Sequence, residues 1–273
     1  MNCTAISSDF VSLKARLKKT WTAGDYDRFS RYMENGARDF YERLDVAPGS
    51  QLLDVACGSG SLALIAARDG VKVTGVDIAG NLIERARERA RAESLPATFE
   101  EADAEALPFE DASFEVVVSL IGAMFAPRPD YVAQELLRVC SPGGTIAMAN
   151  WTPQGFVGQM FKAISKFIAP SGMPSPLLWG DEATVRERLG AGLSDLSLVR
   201  RSYTFSYPFP PAEVVGFFQL NYGPTNQAFA SLDADGRERL RHELESLWAS
   251  HNRAAAGCTT VFAEYLEVIG TRA

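Results

Sequence analysis

The residues best suited to chemistry in this chain are three carboxylates, each in or just after a strand pattern. The first lies in Leu-Leu-Asp-Val-Ala-Cys-Gly-Ser-Gly at 52–60, where Asp54 precedes a glycine-rich turn and an apolar helix opening at Ser61. Gly58 and Gly60 let the backbone turn tightly and put no side chain between the main chain and a ligand lying across the strand ends. A carboxylate four residues ahead of Gly58 faces whatever rests on those glycines. It suits a cationic or amine-bearing ligand and disfavours a pyrophosphate.

The second carboxylate, Asp77, ends the apolar run that begins Lys72-Val-Thr-Gly-Val. An acid at the end of a second strand suits a ribose diol. The third, Asp103, follows a strand pattern at 97–102 and is itself followed by Ala104. There a carboxylate can accept from an exocyclic adenine amine while the neighbouring backbone N–H donates to a ring nitrogen. The spacing Gly-x-Gly-x-x-Ala at 58–63 also passes as a dinucleotide fingerprint. A nicotinamide-dependent oxidoreductase is therefore a competing reading, although it leaves Asp54 and Asp103-Ala104 without a role. A regulatory protein that binds the cofactor without turnover is a third.

Taken in order, Asp54–Gly60, Asp77, Asp103-Ala104, Leu107-Pro-Phe, Asp111-x-Ser-Phe and Ser141-Pro-Gly-Gly resemble class I S-adenosylmethionine-dependent methyltransferases. The resemblance is to the branch that includes the ubiquinone and menaquinone biosynthesis methyltransferases, and it covers about residues 40–151. It implies S-adenosyl-L-methionine as cofactor and S-adenosyl-L-homocysteine as product. It also implies a Rossmann-like α/β fold, with a seven-stranded, mostly parallel sheet, helices on both faces and a helical cap over the strand C-terminal ends. By the same resemblance Asp54, Ala56 and the turn Cys57, Gly58, Ser59 and Gly60 hold the methionine amino group. Asp77 takes the ribose hydroxyls, Ile78 one adenine face, and Asp103 with Ala104 the adenine edge. Ser119, ending the fourth strand, would lie beside the methyl donor. Trp21-Thr-Ala-Gly-Asp-Tyr-Asp resembles the branch's amino-terminal lid, so Trp21 and Tyr26 are candidates to cover the methionine end, with plain packing as the alternative.

The elements that must position these residues alternate between 51 and 151. Helix patterns at Ser61–Arg68, Asn81–Glu93 and Tyr131–Cys140 separate five strand patterns, which predicts a parallel sheet with ligands beyond its carboxyl edge. Tyr26, Phe29, Met33, Ala37, Phe40 and Leu44 recur at the three- and four-residue steps of one amphipathic helix. Ser194–Tyr207 and Thr259–Arg272 read as the sixth and seventh strands, a reversed closing pair. Gly155–Ala169, Pro211–Asn221 and Gly236–Arg253 read as helices, and Pro170–Gly180 as a proline-rich loop. The expected organisation is a lid at 1–48, a cofactor-binding core at 49–151, and 152–273 carrying cap insertions (152–180, 208–257) and the last strands of the same sheet, all in a single domain.

Twenty-seven Lys+Arg against 34 Asp+Glu give a net charge of −7, which argues against nucleic acid or an anionic membrane as partner. The runs Lys14–Lys19 and Arg85–Arg91 read as solvated helix faces without function. Cys3, Cys57, Cys140 and Cys258 are scattered, with no Cys-x-x-Cys pair, so no metal and no disulfide framework is expected. The first 20 residues hold no apolar targeting core, and the expected location is cytoplasmic.

Methyl transfer from a sulfonium needs alignment of the acceptor and exclusion of water, and at times removal of a proton. His242 and His251 are the two side chains that titrate near neutrality unperturbed. On the helix at 236–253, residue 251 shares the face of Leu240, Leu244 and Leu247, so His251 is the candidate general base, with a hydrogen-bonded core histidine as the alternative. Tyr222, Asn150, Trp151 and Phe125 are further candidates near the acceptor. The abundance of Phe, Trp and Met in 151–180 and 205–229 points to a small, partly apolar acceptor.

Overall fold

Local sequence chemistry sets where the elements begin and end. The computed structural model describes residues 3–169 and 172–273, so Pro170 of the predicted loop lies outside the described residues. In chain order the helices are α1 (Cys3–Trp21), α2 (Tyr26–Ser30), α3 (Glu34–Glu42), α4 (Ser61–Arg68), α5 (Gly80–Ala92) and α6 (Pro129–Val139). After them come α7 (Phe156–Ser165), α8 (Glu182–Leu189), α9 (Pro211–Asn221), α10 (Gly223–Ala230) and α11 (Ala234–His251). The strands are β1 (Gln51–Val55), β2 (Lys72–Asp77), β3 (Thr98–Glu101), β4 (Phe114–Leu120), β5 (Cys140–Trp151), β6 (Leu193–Tyr207) and β7 (Thr259–Arg272). Proline opens α6 and α9, where its missing N–H costs no helical bond, and the Asp25, Asp181 and Asp233 side chains cap α2, α8 and α11.

The strands form one sheet in the order β3-β2-β1-β4-β5-β7-β6. β1 pairs in parallel with β2 (Leu52↔Val73) and with β4 (Leu52↔Val116). β7 alone is reversed, lying antiparallel to both β5 and β6. Leu52, Leu53 and Val55 of β1 and Val117 and Val118 of β4 are fully buried, as expected for strands covered on both faces. The seven strands, the α/β order and the helices on both faces are those implied by the sequence.

Three local readings change. The helix expected over Tyr26–Leu44 is broken into α2, a 3₁₀ turn at Arg31–Met33, and α3. The break falls where the Tyr203 hydroxyl donates to the Met33 carbonyl, and Gly36 makes room for that ring: a Cβ there would sit 2.1 Å from Tyr203 Cζ. Ser141-Pro-Gly-Gly, whose Pro-Gly-Gly reads in sequence as a turn ahead of the fifth strand, forms instead an irregular stretch inside β5. Pairing with β4 jumps from Cys140↔Phe114 to Thr145↔Val116, with Gly143 at φ +76°. Two further helices, α8 and α10, stand where no helix was predicted; both are eight residues long, too short to show a clear apolar stripe.

Candidate active site

A crevice opens beyond the carboxyl ends of β1, β2 and β4, and encloses about 960 Å³ including its solvent-open part. Ala56, Gly58, Asp77, Ile78, Asp103 and Ala104 line one end of it. Its floor is tightly wound. Ala56 after β1 and Ile121 after β4 both take left-handed conformations (φ +59° and +66°), and a Cβ on Gly122 would fall 2.4 Å from the Ala56 carbonyl. Two turns thus meet backbone to backbone, and for non-glycine residues such angles are held only where surrounding structure demands them.

Asp54 is 2% exposed and has one carboxylate oxygen, Oδ2, without a partner. Burial pushes its pKa up to about 7, a rise partly offset by the Ala63 amide at the start of α4 and reinforced by Asp77. It lines a smaller adjoining cavity with Cys57, Ser59, Ser61 and Leu62, and Tyr26, Ala56 and Gly58 border both spaces. Asp77 accepts from the Gly58 N–H (2.9 Å) and the Ala79 N–H (2.8 Å). Its pKa is raised by burial against these lowering hydrogen bonds. The acid that suits a ribose therefore also pins the glycine turn. Burial keeps the Cys57 thiol protonated, well above its ordinary range. The Ser59 hydroxyl lies 3.1 Å from that of Ser30. Gly60, at φ +81°, precedes α4 and backs onto the Phe99 ring.

At this same end of the crevice the Asp103 carboxylate accepts from the Glu105 N–H (2.9 Å) and pairs with Lys14 of α1. Lys14 also lies 2.7 Å from the fully buried Glu105 carboxylate. The run Lys14–Lys19, read from sequence as solvated, thus places Lys14 in the lining, and Lys18 pairs with Glu101. The signal was available: Lys14, Leu17 and Trp21 follow the three- and four-residue steps of one helix face, and all three line the crevice.

Trp21 and Tyr26 both lie over the crevice. Trp21 stands edge-on to Phe125 (5.0 Å between ring centres), Tyr222 (5.8 Å) and Tyr26 (5.8 Å). A Cβ on Gly58 would meet the Tyr26 ring at 3.1 Å, so Tyr26 covers the glycine turn. Beyond these rings the wall is apolar: Trp151, Val157, Met160, Phe205 and Phe218. Burial raises the phenol pKa of both Tyr26 and Tyr222, with Asp77 adding to the first and Tyr26 to the second.

Ser119, His251 and Asn150 stand outside the crevice lining. Ser119 does not line the crevice; its hydroxyl donates to the Val55 carbonyl (2.8 Å) and accepts from the Ala123 N–H (2.9 Å), strapping the ends of β1 and β4 together. His251 is half-buried at the end of α11. Its ring meets Phe156 at 5.2 Å, and Nδ1 sits 3.0 Å from the Leu247 carbonyl, one helical turn back. It lies outside the crevice lining because the apolar face it shares packs on α7. Asn150 is buried outside the lining as well, whereas Trp151, Phe125 and Tyr222 belong to it. Among the described residues no group of three or more His, Cys, Asp or Glu could hold a metal, and Cys57, Cys140 and Cys258 are free. No helix among them is long and apolar enough to cross a membrane.

A family model described as a methyltransferase domain matches residues 53–148, the stretch that carries Asp54, Asp77 and Asp103. An uncharacterized protein of Mycobacterium tuberculosis is 38% identical over 225 residues, 81% of this chain and 82% of that protein. The 2-methyl-6-phytyl-1,4-hydroquinone methyltransferase of a Synechocystis species is 42% identical over 105 residues, 38% of this chain and 33% of that enzyme. Among solved structures, Haemonchus contortus phosphoethanolamine N-methyltransferase 2, in complex with phosphomonomethylethanolamine and S-adenosylhomocysteine, shares the fold. Its TM-score is 0.58 at 19% identity, covering 87% of this chain and 52% of that one. The dinucleotide reading is left with only the glycine spacing and Asp77 in its favour, and the chain belongs to the class I S-adenosylmethionine-dependent methyltransferases.

Proposed function

We propose that this enzyme transfers the methyl group of S-adenosyl-L-methionine to a small, partly apolar organic acceptor, at O, N, S or C, by in-line displacement. The observation that carries this reading is the division of the crevice. Its charged lining residues, Lys14, Asp77 and Asp103, all stand at the end beside Ile78 and Ala104, and the rest is aromatic or aliphatic. A charged acceptor would meet no counter-ion there. A neutral apolar one would be desolvated and held against the donor.

The donor supplies an electrophilic methyl on a sulfonium and needs no further activation. Its fit rests on the orphaned Asp54 oxygen, which suits the methionine ammonium, and on the Gly58 turn, where a side chain would fill the ligand's space. Asp77 retains lone pairs for the ribose hydroxyls beside its two backbone donors. Ile78 would lie on an adenine face, and Asp103 with Ala104 at its edge. Tyr26 and Trp21 would cover the sulfonium end, where their π-faces favour a cation. Tyr26 and Tyr222 keep their protons, so they can donate a hydrogen bond to an acceptor oxygen but not take its proton. Alignment and water exclusion then carry the catalysis.

In this reading residues 1–48 act as lid, 49–151 as donor core, and 152–180 with 208–257 as cap. The free thiols Cys57 and Cys140 and the net charge of −7 support a place in the cell interior, away from nucleic acid. The test is a screen with labelled S-adenosyl-L-methionine across phenols, quinols, thiols, amines and halide ions. Transfer to neutral, apolar members supports the reading, and transfer confined to charged, strongly polar members contradicts it.

A further inference from the structure

The C-terminal part of α1 presents one face to the crevice. Lys14, Leu17 and Trp21 lie on one side of the helix, two turns and about 10 Å from end to end. At one end Lys14 holds Asp103 and Glu105; at the other Trp21 touches Phe125 and Tyr222 of the apolar wall. The chain that leaves α1 is then pressed on the joint between α9 and α10. A Cβ on Gly223 would fall 2.0 Å from the Thr20 carbonyl, and one on Gly24 would fall 2.8 Å from that of Asn221. Glycine at both places lets two main chains touch, so this end of α1 cannot shift without the joint that carries Tyr222.

We propose that Lys14 is a positioning residue: by tying α1 to the carboxylates at the adenine end, it seats Trp21 against Tyr222 and makes an occupied donor site complete the acceptor pocket. The inference rests on the donor reading above. Lys14 and Asp103 keep 23% and 30% of their side chains exposed, so this half of the tie is weak enough to part and admit the donor, while the buried Glu105 carboxylate, which also has Arg128 at 2.6 Å, keeps a partner as Lys14 moves. With the nucleoside bound beside it, the pair loses water and tightens. Each Asp103 oxygen has a second lone pair, so the adenine amine and Lys14 can share the carboxylate rather than compete.

Amide hydrogen exchange on the full chain, with and without saturating S-adenosyl-L-homocysteine, tests this. In the wild type the ligand should slow exchange roughly tenfold or more in three places: the Gly58–Gly60 turn, residues 17–22, and residues 219–224. In Lys14→Met the turn should stay protected while the other two segments lose their ligand-dependent protection, and Lys14→Arg should restore it. If the methionine variant does not fold, Lys14→Gln carries the same expectation. Equal protection of all three segments in the variant, or wild-type protection confined to the turn, overturns the proposal. An absence of protection even at the turn would instead overturn the donor reading on which it rests.

Discussion

At Asp54 a carboxylate sits 2% exposed with one oxygen unpaired, a costly arrangement until a cation meets it. The consequence is a pH dependence of definite sign. Burial raises the pKa to about 7, whereas an unfolded chain releases the proton near its ordinary value, about 4. The folded state therefore binds the extra proton between those values, and ligand-free stability should fall as pH rises from about 4 to about 7. Donor affinity should move the opposite way, rising as Asp54 ionises. Asp54→Asn should flatten both curves and weaken S-adenosyl-L-methionine by about 1.5–3 kcal/mol, the usual loss of a hydrogen bond to a charged group, as read by calorimetry across pH. An Asn variant that kept the wild-type pH dependence of binding would remove Asp54 from the donor site. Asp77→Ala carries a second expectation. Because it also holds the Gly58 and Ala79 amides, it should lower affinity for both S-adenosyl-L-methionine and S-adenosyl-L-homocysteine and speed amide exchange in the turn.

Elements, rather than single groups, decide the closed side of the site. Gly223→Ala would force a Cβ to within 2.0 Å of the Thr20 carbonyl, so it should destabilise the protein by about 1–3 kcal/mol in thermal unfolding while β1 to β5 stay intact. His251→Gln should behave differently. The ring packs on Phe156 and bonds within its own helix, outside the crevice lining, so turnover per folded molecule should stay near wild type and stability should fall by about 0.5–1.5 kcal/mol. A loss of turnover of a hundredfold or more without unfolding would return His251 to the role of base. The sequence made the His251 helix legible through its leucines. It could not show which neighbour that face meets, since helical periodicity reports a buried side and not its partner. Ser119 is a related case: the end of β4 was located correctly, but strand alternation does not reveal that the hydroxyl is taken up by the Val55 carbonyl and the Ala123 N–H.

Across the whole molecule the parts nearest the glycine turn were the most legible. Asp54, Asp77 and Asp103 stand at strand ends, and parallel strands must bring their carboxyl ends to one edge, so spacing alone gathered them. Lys14 was not legible as part of that set, because a basic run on an amphipathic helix looks solvated until the sheet that receives it is known. The break between α2 and α3 was hidden in the same way, since it is set by Tyr203, 170 residues further along the chain. The unequal division of the crevice, charges at one end and rings at the other, appears only once β5, β6 and α9 bring Trp151, Phe205 and Phe218 to the crevice that α1 also lines. The central claim, that the donor lies on the Gly58 turn under Tyr26, is tested most directly by calorimetric titration of S-adenosyl-L-homocysteine into the wild type and Gly58→Val. The wild type should bind one molecule per chain, and the folded variant should bind none that can be detected, because a β-branched side chain at φ +56° would meet the Tyr26 ring and fill the ligand's space. A folded Gly58→Val protein that bound as tightly as the wild type would contradict the account.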